Sequence, residues 1–177
     1  MDSWKGLLSQ AIRTSRKPAL VGIGQELRGD DAAGVLVVRT LQSIAESAPQ
    51  DPAVTEAARP CAPFLFEAGS LPEASAGPLR RFGPDRVIFI DAADMGEAPG
   101  SVRWIDPARL EGTPLATHTF PMGGFSAYLE SELGCRVAIL GIQPECIDFD
   151  APVSDCVRKA MDEIAAVIVG VLEKDRI

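Results

Sequence analysis

The segment Arg86-Val87-Ile88-Phe89-Ile90-Asp91 sets four consecutive large apolar side chains between an arginine and an aspartate. Side chains alternate along a strand, so such a run has no polar face to offer water and both its faces must be covered. Ala19-Leu20-Val21-Gly22-Ile23-Gly24 and the stretch from Arg136 to Gly141 have the same character. Pro63-Phe64-Leu65-Phe66-Glu67 is a further strand candidate, and Ser101 to Ile105 a shorter one suited to a sheet edge. Helical patterns lie between them. Ala32 to about Ser47 ends before Pro49, and a short helix runs through Arg81. Pro121 to Leu133 sets Phe125, Tyr128 and Leu129 on one face. From Ser154 an apolar stripe runs through Val157, Met161, Ile164, Ile168, Val171 and Leu172. Strands that alternate with helices predict an α/β fold: one mainly parallel, twisted sheet of about five strands, helices on both faces, and room for one antiparallel edge strand.

A chain of 177 residues suits one domain with one sizeable core. Residues 1–17 carry Trp4, Leu7, Leu8, Ala11 and Ile12 at helical spacing. They read as an amphipathic N-terminal extension, closed by Pro18, that packs on the domain, meets a partner or frays; the domain itself then spans 18–177. Residues 48–60, rich in alanine, proline and charge, read as a surface loop.

The net charge of −8 repels phosphate backbones, so nucleic acid is not expected as a partner. Cys61, Cys135, Cys146 and Cys156 form no C-x-x-C pair, which removes zinc ribbons and thioredoxin-like motifs. They read as reduced, mostly buried thiols. There is no signal-peptide pattern at the N-terminus, and the apolar stretch Ile164 to Leu172 is too short to span a bilayer. A cytoplasmic protein is expected, without a membrane partner.

In an open parallel sheet, ligands bind at the carboxyl ends of the strands. Asp30 and Asp31 follow the first strand, Glu67 ends the second, and Asp91 ends the third, with Asp94 three residues on. His118 stands in a loop just before the helix that starts near Pro121, and it is the only histidine. Imidazole with carboxylates suits a borderline divalent metal such as nickel, zinc, copper or iron. Asp31, Asp91 and His118 together would leave coordination positions open for water or substrate. A single histidine also rules out the two-histidine zinc-protease helix H-E-x-x-H, and any serine or cysteine triad would have to use His118. Each residue has a plainer reading as well. Asp31 can cap a helix, Asp30 can shape a turn or cap, Asp91 can be a turn aspartate, Asp94 can shape the Asp-Met-Gly turn, and Glu67 can be a solvated strand end.

Gly22-Ile23-Gly24 follows a strand, as a dinucleotide loop does, but Leu27 stands where the third glycine of G-x-G-x-x-G belongs. No G-K-[ST] phosphate loop occurs either. These glycines read as a sharp backbone turn beneath the acidic pair.

Four segments resemble the hydrogenase maturation endopeptidases, in matching order and spacing over roughly residues 18–174. They are Gly22-Ile23-Gly24-Gln25-Glu26-Leu27-Arg28-Gly29-Asp30-Asp31-Ala32-Ala33-Gly34, Ile90-Asp91-Ala92-Ala93-Asp94-Met95-Gly96, Thr117-His118-Thr119-Phe120-Pro121 and Leu140-Gly141-Ile142-Gln143-Pro144-Glu145. The last three look closest to the formate hydrogenlyase and coenzyme-reducing hydrogenase branch. The resemblance implies an aspartic-type or metal-dependent endopeptidase that removes the C-terminal extension of a nickel-iron hydrogenase large-subunit precursor after nickel insertion. The precursor would be the partner, and its nickel would be the only cofactor at the site. The family's metal-contacting residues fall on Asp31, Asp91 and His118, and its acidic strand-two residue, usually aspartate, falls on Glu67. Gln25 stands where asparagine is usual. A monomer is expected. Two alternatives from other classes are a non-catalytic nickel-binding assembly chaperone and a Rossmann-like nucleotide-binding enzyme.

Overall fold

Strand alternation divides the core of this protein into two layers, seen here in a computed structural model that describes residues 3–47, 62–109 and 122–174. The strands are β1 (Pro18–Ile23), β2 (Phe64–Gly69), β3 (Arg86–Ala92), β4 (Val102–Ile105) and β5 (Arg136–Ile142), and they form one sheet in the order β2-β1-β3-β5-β4. β2, β1, β3 and β5 are mutually parallel, and β4 closes one edge antiparallel to β5. The helices are α1 (Trp4–Arg13), α2 (Ala33–Ser47), α3 (Ala76–Phe82), α4 (Met122–Leu133) and α5 (Asp155–Lys174). Leu20, Ile88, Ile90, Leu140 and Ile142 face one layer, filled by α1, α2 and α5. Ala19, Val21, Ile23, Val87, Phe89, Val137 and Ile139 face the other, filled by α3 and α4. The expected α/β class, strand count and edge strand are borne out. The apolar runs are buried on both faces because helices cover both faces.

α1 does not fray. Ser3 caps it by accepting the Gly6 N–H, and Leu8, Ala11 and Ile12 enter the same core layer as α5. Lys5 pairs with Glu163 on α5 at 2.8 Å. β1 begins at Pro18, where a missing N–H is tolerated at the first residue of a strand. The expected surface loop at 48–60 lies outside the described residues. Among the described residues, no helix is long and apolar enough to cross a membrane.

Connectivity decides where a ligand can enter. The chain leaves β1, crosses α2 to β2 on one side, and returns by α3 on the opposite face to β3 on the other side of β1. The connections therefore diverge between the carboxyl ends of β1 and β3. That topological switch point is where open α/β sheets bind ligands.

Candidate active site

The floor of the crevice is built from glycines. Gly24 has φ +141°, a conformation that L side chains rarely adopt. A Cβ there would lie 1.8 Å from the Asp31 carbonyl oxygen. A Cβ on Gly22 would meet the Gly34 carbonyl at 2.4 Å, and one on Gly34 would meet the Ile90 carbonyl at 2.0 Å and the Ile23 carbonyl at 2.4 Å. The first turn of α2 is thus seated directly on the ends of β1 and β3. The glycines serve this backbone-to-backbone packing, which answers the resemblance to a nucleotide loop.

The same junction carries two of the predicted site residues. Asp31 lies in the 3-10 turn Gly29–Ala32 that leads into α2, is 3% exposed, and accepts the Gln25 N–H at 2.9 Å. Asp91 follows Ile90 at the end of β3 and is 1% exposed. It shares the strand parity of Val87 and Phe89, so it belongs to the sheet face covered by α3 and α4. His118 lies outside the described residues. Among the described residues, no three histidine, cysteine or acidic side chains group closely enough to hold a metal ion.

Asp30 has a different role. It is fully buried and accepts from four donors: the N–H groups of Glu145, Cys146 and Ser154 at 2.7, 3.0 and 2.7 Å, and the Ser154 hydroxyl, which lies 2.8 and 2.7 Å from its two oxygens. Burial pushes its carboxyl up, but these donors outweigh burial and hold it below the usual carboxylate range. Asp30 therefore pins the β5–α5 loop to the β1–α2 loop across the end of β3. The sequence reading of Asp30 as a turn or cap residue is thereby corrected: every group its carboxylate accepts from lies in a loop distant in the chain.

Glu67, expected to end β2, lies two residues before its end, beside an irregularity in the β1 pairing: Gly22 pairs with Glu67, but Ile23 pairs with Gly69. Such a bulge re-aims the neighbouring side chains. The Glu67 carboxylate accepts from Arg39 of α2 at 2.6 Å, and Arg39 also holds Glu26 through two bonds of 2.7 and 2.8 Å. The Arg39 bonds hold the Glu26 carboxyl below its ordinary value. Sequence reasoning missed Arg39. It is a surface arginine in mid-helix, and only the packing of α2 shows that it reaches both the β1–α2 loop and β2.

Asp94 shapes its turn as read, accepting the Gly96 N–H at 3.2 Å. Gln143 adds to this by accepting the Met95 and Glu97 N–H groups at 2.7 and 3.2 Å and donating to Asp94 at 3.2 Å. The Gly-x-Gln-Pro motif thus locks the loop that follows Asp91. Among the described cysteines only Cys135 is buried, and burial pushes its thiol up; Cys146 and Cys156 are half-buried, which corrects the expectation of mostly buried thiols.

The sequence profile of the HycI hydrogenase maturation proteases matches residues 54–171. The hydrogenase 3 maturation protease of Escherichia coli is 30% identical over 152 residues, 85% of this chain and 88% of its own. The chain belongs to the hydrogenase maturation protease family. A putative hydrogenase maturation protease of Methanocaldococcus jannaschii is 29% identical over 170 residues, 96% of each chain. The crystal structure of the NiFe hydrogenase maturation protease HycI from Thermococcus kodakarensis superimposes with a TM-score of 0.79 at 26% identity, covering 94% of this chain and 99% of that one. Glu67, Asp91 and His118 lie within the stretch matched by the protease profile. Asp31 precedes that stretch and lies within the longer Methanocaldococcus alignment. The resemblance carried by the four motifs is borne out.

Proposed function

We propose that this protease removes the C-terminal extension of a nickel-iron hydrogenase large-subunit precursor after nickel insertion, reading the substrate's nickel with Asp31, Asp91 and His118. The observation that supports this reading is the seating of α2 on the ends of β1 and β3, with buried Asp31 in the turn that leads into α2 and buried Asp91 at the carboxyl end of β3, the side on which open sheets bind ligands. His118 precedes Met122, the first residue of α4, by four residues, a reach of at most about 14 Å of chain. α4 covers the sheet face to which Asp91 belongs. Two carboxylates and an imidazole fit nickel, and three donors leave room for the precursor's own ligands.

Nickel carried by the precursor supplies Lewis-acid chemistry at the site. The chain's own part is to recognise the loaded substrate and handle a proton. Peptide hydrolysis needs a base for the attacking water, and we assign that role to Asp31 or Asp91, which would make the protease aspartic in type. Glu67 recognises the loaded precursor, and Arg39 sets its orientation. The protein acts in the compartment where the precursor is assembled, the cytoplasm, as a monomer that meets its substrate transiently. Residues 18–177 form the protease domain.

Incubating the protein with nickel-loaded precursor and following intact mass tests this reading. A shortened large subunit is expected, whereas a nickel-binding chaperone gives none. Full-rate processing by His118→Ala would remove His118 from the site.

A further inference from the structure

Three large apolar side chains stand in water beside this crevice. Leu27 in the β1–α2 loop is 55% exposed, and Ile147 and Phe149 in the β5–α5 loop are 44% and 75% exposed. Water-exposed apolar groups occur singly on any surface, but a contiguous set is a mark of a binding site. The two loops that carry these three are laced together. The Asp150 N–H donates to the Leu27 carbonyl at 2.8 Å, Arg28 Nε to the Ile147 carbonyl at 3.2 Å, and the Asp30 N–H to the Cys146 carbonyl at 2.9 Å.

The exposure is built into the fold. Asp30, fully buried, fixes both ends of the β5–α5 loop through Glu145, Cys146 and Ser154. Asp150, next to Phe149, has φ +60° and is the only non-glycine residue in the left-handed region among the described residues. A strained residue persists where its surroundings hold it, and such residues cluster at functional sites. Here the Leu27 carbonyl holds it, and the result is a phenyl ring projected into solvent.

The charge around the tip names the occupant. Asp148 and Asp150 flank Phe149 and are exposed, as is Glu145 at the loop's start, while Glu26 beside Leu27 is held by Arg39. Arg28 is the one basic residue between positions 24 and 34 or between 143 and 157. An apolar tip with an acidic rim complements a segment that carries an apolar side chain flanked by lysine or arginine. A second copy of this chain would bring the same acidic rim against itself. We infer that Leu27, Ile147 and Phe149 form a docking tip for an apolar, cationic segment of the polypeptide substrate, placed beside the scissile bond rather than at it.

This inference rests on the protease reading above, so the test uses separate measurements. Wild type, Phe149→Ser, Leu27→Ser and Asp148→Asn are assayed on the nickel-loaded precursor, with KM and kcat resolved and melting temperature recorded. Sedimentation at assay concentration reports self-association. Wild type that cleaves nothing overturns the protease reading itself. If wild type cleaves, Phe149→Ser and Leu27→Ser are expected to raise KM by about tenfold or more with kcat within twofold, because an exposed anchor binds without doing chemistry. Melting temperature stays unchanged, since these side chains leave water only on docking. Asp148→Asn is expected to weaken the salt dependence of KM. Unchanged KM in both serine variants overturns the docking tip, as does a wild-type dimer that Phe149→Ser converts to monomer.

Discussion

At the scale of single residues, two adjacent aspartates divide the work. Asp30 spends its charge on four donors of the protein itself, whereas Asp31 accepts the Gln25 N–H. Asp30→Asn turns an amide N–H toward donors that need an acceptor. It should cost roughly 2–4 kcal/mol, measured by urea unfolding. The folded-state carboxyl of Asp30 lies below its unfolded value of about 3.9. Its contribution to stability is therefore full above that value and is lost as pH falls through the depressed folded one. The acid limb of stability against pH should accordingly be shallower in Asp30→Asn than in wild type. Identical limbs would remove Asp30 as a source of acid sensitivity. Glu67→Gln keeps the shape but loses the charge paired with Arg39, so processing rate or nickel requirement should change. No change in either would reduce Glu67 to a surface strand end.

At the scale of elements, the critical contact is helix against strand ends. A methyl on Gly34 meets two carbonyl oxygens of the backbone, which cannot rotate away as side chains do. Gly34→Ala should cost about 3 kcal/mol, the upper end of what overpacking costs, and should lower activity further by lifting α2 and Asp31 off the site. Wild-type stability in this variant would contradict the seating of α2. α1 belongs to the same layer as α2 and α5. Leu8→Ala should therefore lose about 2–5 kcal/mol, as for a core leucine, which thermal unfolding would show. Much of this was legible in the sequence. The runs at 19–24, 86–91 and 136–141 have no polar face, so burial by helices on both sides follows from their composition. The docking of α1 was not legible, because its apolar stripe states what it buries and not against what. Arg39 and the Asp30 network were hidden for a similar reason: their partners lie 13 to 124 residues away in sequence, and pattern within a window carries no such information.

At the scale of the whole molecule, topology, charge and loop lacing converge on one edge of the sheet. The connections diverge between β1 and β3, and Asp31 and Asp91 lie there. Above them the β1–α2 and β5–α5 loops join across the end of β3. The sequence grouped Asp31, Asp91 and His118 by where strands end; the fold adds that the turn carrying Asp31 leads into a helix seated on the end of β3, the strand that carries Asp91. In the function proposed, the site reads nickel carried by the substrate. Cleavage of nickel-loaded and nickel-free precursor, followed side by side by intact mass with wild type and Asp31→Asn, tests it most directly. Wild type should cut the loaded form at least about a hundredfold faster than the nickel-free form, a coupling of roughly 2.7 kcal/mol, and Asp31→Asn should lose most of that ratio. Equal rates on the two precursors would contradict it.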